Sequence, residues 1–503
     1  MFRAFYQTVS RKHSRRELFN KTFPDAKMRM SIISTVALGL LAVGGPATLA
    51  MACIPAVIIS VFFPKLKIFA IILVSIVWSS QARVEHWEKI QLYFSDLIGS
   101  IYQQKLQSIA LFLASVLICF FYSKMISRIQ PSNFIRRHSF FLFVAALYLL
   151  SFTLPHYGQG TQAQDTLWKI LLFTSIMSPF LYYELQCLGR KSRYTGWQRL
   201  IFFHPLWSFN FISPFGRGAT TIEQVENVNI DGWEKTQLSG LRLSLWSTTL
   251  VLLYWILRTM THSTEEIQDI PEFIKSFFGP LGFDVSKVYT LLQSQNLRQV
   301  GSFEIWLSVV FHFLFRTLRL AINGGKCVAL ARLFGFQLPR NTYRPFESKT
   351  FAEFFGRYNF FFKELLFAMF FFPVFTKFRI KPNRLRLFIA AFWAAGVGNF
   401  FLNFLYHYEA VAEKGLVEAL CLYSPYLLYC GVLGLAIAVS LDGSMSTSSS
   451  ETKRKFAGFE RLVAVVRVIL YSLFFAILQI FDVPFSGSLS KNWSILCGLF
   501  GIF

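Results

Sequence analysis

Charge is scarce in this chain, and acidic charge scarcer still. Only 15% of the 503 residues are charged, with 27 acids against 50 bases, while 54% are hydrophobic. A soluble fold of this size must cover its core with polar surface, and this composition does not supply it. A metal or disulfide framework is missing too. The seven cysteines, Cys53, Cys119, Cys187, Cys327, Cys421, Cys430 and Cys497, lie nearly all in or beside apolar runs and form no CxxC pair. The eight histidines are scattered, so no metal site is expected. No glycine-rich phosphate loop followed by Lys-Ser or Lys-Thr is present, which argues against an ATP-driven pump. No internal repeat is evident, and no paired charges show within the apolar runs, the marks that a transporter often carries.

What is abundant is apolar sequence in long runs. Clear cores are Ile68 to Trp78, Ser108 to Tyr122, Ser139 to Leu154, Leu167 to Leu188, Leu243 to Leu257, Ile305 to Leu320, Glu364 to Val374, Leu387 to Leu405, Leu420 to Leu441, Leu462 to Phe481 and Trp493 to Phe503. With their flanks most reach about 18 to 22 residues, enough to cross a hydrocarbon layer of about 30 Å as helices. Barrel strands would be shorter and would alternate polar with apolar. The expected fold class is therefore all-α, a polytopic transmembrane helical bundle of about 10 to 12 membrane segments, some of them re-entrant. Amphipathic pieces at Ile270 to Phe278 and Val285 to Leu297 read as interfacial helices, and Ser444 to Thr452 reads as a flexible loop.

The net charge of +23 sits between the apolar runs rather than on one face. Basic clusters occur at Arg190, Lys191, Arg193 and Arg199, at Lys377, Arg379, Lys381, Arg384 and Arg386, and at Lys453, Arg454 and Lys455. The positive-inside rule makes these loops cytoplasmic, facing membrane lipid headgroups, and no nucleic acid partner is implied. Residues 1–30 form a basic cytoplasmic N-terminal arm, and 31–503 a single membrane-embedded domain. The arm is long for a signal peptide, and Gly44, Gly45 and Pro46 should break the following apolar run into two short helices, so the segment is read as retained.

One segment departs from this pattern. The run Phe392 to His407 is apolar except for Asn399, Asn403 and His407, which are four residues apart and share one face of a helix. Amide and imidazole groups at membrane depth either line a wet substrate path or bond to neighbouring helices, and the stripe alone is compatible with both. His204 and His156 read as an interfacial packing residue and a loop residue.

The segment from Gly335 to His407 resembles the signature of the membrane-bound O-acyltransferase family. There a sequence of the type G-x-x-L-P-x-N-x-x-R-P-[FY]-x-S leads into F-W-x-R-W-[HN], and a few tens of residues later an invariant histidine lies in an apolar helix. Here the first part is met at Gly335, Leu338, Pro339, Asn341, Arg344, Pro345, Phe346 and Ser348, and the second, more loosely, at Phe354, Phe355, Arg357, Tyr358 and Asn359. Phe355 and Tyr358 stand in place of tryptophans, His407 falls on the invariant histidine, and Tyr406-His407-Tyr408 replaces the usual Trp-His-Gly.

The resemblance implies a bundle around a central pore and the transfer of an acyl group such as acetyl. The donor would be a cytoplasmic thioester, an acyl-CoA or acyl carrier protein, used as substrate with no bound cofactor. The acceptor would be a hydroxyl of an extracytoplasmic glycan, with a separate extracytoplasmic enzyme as a further partner, and the location a bacterial inner membrane. Such transfer needs a base near neutral pKa, which is assigned to His407. Asn359 is assigned orientation or oxyanion support. Asn399, Asn403 and Tyr358 are read as channel-lining, and Arg344 and Arg357, with Lys349, as contacts for a phosphorylated donor or as cytoplasmic anchors. Two alternatives stand beside this: a transporter or flippase, and an acyltransferase acting on a lipid or protein.

Overall fold

The structure, a computed structural model, describes residues 25–43, 47–81, 101–130, 134–156, 158–186, 188, 194, 198–199, 219–227, 229–261, 270–282, 285–293, 300–348, 350–378, 380–446, 457–482 and 489–502. It is helical throughout, with no strand among the described residues beyond an isolated bridge between Glu226 and Phe336. The main helices are α1 Ala26–Ala42, α2 Ala47–Phe62, α3 Lys67–Gln81, α4 Ile101–Ser127, α5 Ser139–Ser151, α6 Gln162–Gln186, α7 Ile230–Thr261 and α8 Ser302–Leu333. They continue as α9 Phe351–Tyr358, α10 Phe360–Lys377 and α11 Asn383–Tyr406. The last are α12 Ser424–Ser446, α13 Ala457–Leu478 and α14 Leu489–Leu499.

Five of the described helices are long and apolar enough to cross a membrane: Ile109–Ser127, Ile230–Thr261, Ser302–Leu333, Asn383–Tyr406 and Ser424–Leu441. A sixth arises if α9 and α10, whose axes meet at 113°, count as one broken span. Cys53–Phe62, Ser139–Ser151 and Val465–Phe481 are apolar but shorter. The chain is thus an all-α helical membrane protein, with fewer full-length spans among the described residues than its runs of hydropathy suggest. α1 ends at Ala42, with Val43 extended, and α2 begins at Ala47, while Gly44, Gly45 and Pro46 lie outside the described residues; short helices occur at Glu272–Phe278 and Val288–Gln293. α12 extends to Ser446, into the serine-rich stretch, whose remainder lies outside the described residues. So do nearly all of the basic arm, Lys349, His204, Arg190, Lys191 and Arg193.

Small residues and polar caps hold the helices together. α7 and α8 pack so closely that a Cβ on Gly240 would come within 3.1 Å of the Ala329 carbonyl oxygen. The Trp233 and Gln237 side chains both donate to the Leu333 carbonyl, one of the orphan acceptors at the end of α8. The chain then reverses through Gly335, whose φ of +87° favours glycine and whose Cα lies against the Trp233 indole. From there it folds back along α8: Asn341 sits against Gly324, and Phe346 meets Phe313 with ring centroids 6.4 Å apart. The signature loop therefore packs on the helix that precedes it, which brings α9 into the bundle.

Candidate functional site

α11 is interrupted by a π-helical turn at Trp393–Gly398, and a second π turn at Phe367–Phe371 lies in α10. The two pack together, for a Cβ on Gly398 would sit 2.6 Å from the Phe370 ring. Such insertions re-aim the residues that follow them and are frequent at functional sites. After this one, Asn403 donates to the Asn399 Oδ1 at 2.8 Å and to its carbonyl at 3.0 Å, and the Tyr426 hydroxyl of α12 donates to the same Oδ1 at 3.3 Å. The structure thus joins Asn399 and Asn403 in one strip and ties it to the next helix.

His407 follows the last residue of α11, with φ −104° and ψ 39°, and its backbone N–H still bonds to the Asn403 and Phe404 carbonyls. Its Nδ1 lies 3.1 Å from Glu409 Oε1, and the two side chains are 14% and 10% exposed. A carboxylate at this position fixes the imidazole's orientation and can hold its proton on Nδ1, which leaves Nε2 as the basic nitrogen. Aromatic residues enclose the pair. The Tyr423 ring lies 5.6 Å from the imidazole, and Tyr148 of α5 stacks on Phe404 and leans on Tyr408. The Tyr148 hydroxyl is buried without a hydrogen-bond partner and lies within electrostatic reach of Glu409. Tyr408 is anchored by a 2.6 Å bond from its hydroxyl to the Leu147 carbonyl, and Ser175 of α6 donates to the Leu405 carbonyl. Side-chain-to-backbone bonds, one to α5 and one from α6, therefore fix the end of α11.

Asn359 occupies the break between α9 and α10, with φ −139° and ψ 79°. Its Oδ1 accepts from the Phe362 N–H at 3.4 Å and caps α10. No hydrogen bond joins it to His407. The Tyr358 hydroxyl turns inward, toward Thr317 and Gln479. The signature arginines are engaged with acids of their own loop: Arg357 pairs with Glu353 at 2.6 Å, and Arg344 with Glu347 at 3.3 Å. Arg344 is also the non-glycine residue with positive φ, +49°, among those described. Neither arginine touches His407. Asn341 is a structural residue, 1% exposed, whose Oδ1 accepts from the Phe361 N–H.

Several residues at this centre escape a reading of motifs. Glu409 lies two positions past His407 and was hidden by the end of the helix, which turns it back onto the imidazole. Arg316, inside the apolar run of α8, pairs with Asp482 at 2.6 Å across 166 residues of sequence. Paired charges inside the bundle therefore do exist, contrary to the sequence-based expectation; two charges so far apart in the chain carry no local signal. Among the described residues no three His, Cys, Asp or Glu side chains are grouped to hold a metal ion.

No protein-family model matches the sequence, and no curated protein matches it either.

Proposed function

We propose that the protein is a membrane-bound O-acyltransferase that moves an acyl group such as acetyl from a cytoplasmic thioester to a hydroxyl of an extracytoplasmic glycan. The observation that carries the reading is the 3.1 Å contact between His407 Nδ1 and Glu409 Oε1 at the end of an amide strip inside an apolar bundle. His407 Nε2 takes the acceptor's hydroxyl proton as the oxygen attacks the thioester carbonyl; the carbon–sulfur bond breaks, and the proton passes to the departing thiolate. The Asn359 amide, whose oxygen caps α10, supplies an N–H for the developing oxyanion. Arg344 and Arg357, tied to Glu347 and Glu353, shape the donor's cytoplasmic entrance. The basic loops set the N-terminus on the cytoplasmic side, and a bacterial inner membrane suits a glycan acceptor.

A second reading, transport, is favoured by the Arg316–Asp482 pair, since intramembrane charges often mark a translocation path. One experiment separates them. The purified protein, reconstituted in vesicles, is given acetyl-CoA, longer acyl-CoAs and an acyl carrier thioester, each labelled in the acyl group, with envelope glycans or lipids. Acyl transfer predicts label bound covalently to glycan and released by mild alkali. Label on lipid or protein would move the acceptor to that class. Label left in the donor with every acceptor, accompanied by uptake of unmodified glycan into the vesicles, would overturn the acyltransferase reading.

A further inference from the structure

The Arg316–Asp482 pair belongs to a cluster that the transfer step does not use. Asp482 lies just beyond α13 and its side chain is 4% exposed, whereas the Arg316 side chain, in the middle of α8, is 42% exposed. Its Nη1 is committed to the Asp482 carboxylate at 2.6 Å and to its carbonyl at 3.3 Å. Tyr358, Tyr426 and Tyr429 all lie within electrostatic reach of both partners, and the Tyr358 hydroxyl bonds to the Gln479 side chain. Beside the pair, Gln479 is 4% exposed and its Oε1 has no hydrogen-bond partner. One turn along α8, His312 Nε2 is buried without a partner as well. Native interiors seldom leave such atoms unmet.

The chemistry of the cluster restricts what it can hold. Arginine and aspartate cancel, so a phosphate or an ammonium group would leave a net charge in the interior. A hydrocarbon chain would answer neither the free guanidinium N–H groups nor the Gln479 carbonyl. A hydroxyl donates and accepts at once, and neighbouring hydroxyls on a ring do so at fixed spacing. The cluster also leads to the base: Tyr426 bonds to Asn399, its ring lies 6.0 Å from that of Tyr423, and Tyr423 lies beside His407.

We infer that Arg316, Gln479 and Tyr358 seat a neutral, hydroxyl-rich unit, a sugar ring of the acceptor, on the approach to His407. The inference rests on the acyltransferase reading with its glycan acceptor and adds the side chains that seat one of that acceptor's sugar rings. It also explains why a charged pair persists there: Asp482 neutralises and aims a guanidinium whose remaining N–H groups are for the ligand.

The test is direct binding, independent of turnover. The full chain, in a detergent without a sugar headgroup, is mixed with methyl β-glucopyranoside or methyl N-acetyl-β-glucosaminide, and saturation transfer to the sugar protons is read by NMR. Transfer is expected in the wild type and in His407→Ala, and loss of it in Gln479→Leu. That substitution removes a buried amide whose oxygen is unpartnered but whose nitrogen faces the Tyr358 hydroxyl, so the melting curve of each variant is recorded beside its binding signal. No transfer in the wild type, or equal transfer in Gln479→Leu, would overturn the inference. So would a Gln479→Leu protein that melts lower yet still binds, since Gln479 would then be structural. Covalent labelling of glycan, measured separately, stands or falls without reference to this signal, so failure of the sugar site and failure of acyl transfer are told apart.

Discussion

Asn359 serves two roles in this account, and they can be separated by substitution. As a cap, its Oδ1 meets the Phe362 N–H at the start of α10; in the proposed oxyanion role, its amide nitrogen would meet the substrate. Loss of the cap costs about 1 kcal/mol of stability, and loss of an oxyanion donor costs about 10²–10³ in kcat. Asn359→Asp keeps the capping oxygens and removes the amide. It should melt close to the wild type while kcat falls about 10²–10³-fold with little change in KM. A variant that keeps full kcat would reduce Asn359 to the cap alone. The sequence makes the residue visible through its place in the motif but conceals the cap, because nothing in Phe-Gly-Arg-Tyr-Asn announces a 113° bend.

At the scale of elements, the crossing of α11 and α12 positions the site. Gly396 and Gly434 face each other there, and a Cβ on Gly434 would lie 2.8 Å from the Gly396 nitrogen and 2.9 Å from its Cα. Both are backbone atoms that cannot rotate away, so Gly434→Ala must push the helices apart. The expected cost is about 1–3 kcal/mol, read as a lower thermal midpoint in detergent, with loss of activity because Tyr426 rides on α12 and Tyr423 immediately precedes it. Gly431, where a Cβ meets nothing within 4 Å, is the control, and Gly431→Ala should leave the midpoint unchanged or slightly raised. If the two variants melted alike, close packing at Gly434 would not be what holds the crossing. Helix identity was legible from apolar runs, and so was the i, i+4 strip of Asn399 and Asn403. The two π turns were not, since Trp393–Gly398 and Phe367–Phe371 are ordinary apolar sequence whose extra residue is accommodated only by packing Phe370 over Gly398.

At the scale of the molecule, composition alone indicated a helical membrane protein, because apolar residues in excess of what a soluble core can hide need lipid. What it left out was how distant segments converge. Arg316, Tyr358, Tyr426 and Asp482 come from four elements, and their meeting depends on the signature loop folding back along α8 from Gly335 to Phe346. Asn341, a motif residue, caps the start of α10 from within that loop, and Arg344 pairs with Glu347 of the same loop, while Glu409 and Asp482 lie outside any motif. The central claim is that His407, held by Glu409, is the base for acyl transfer. It is tested most directly by single-turnover transfer from a labelled thioester in the wild type, His407→Ala and Glu409→Gln, each shown to be folded by its melting curve. The account predicts a fall of about 10²–10⁴-fold in His407→Ala and a large fall in Glu409→Gln, at unchanged donor affinity. His407→Ala turning over at the wild-type rate would contradict it.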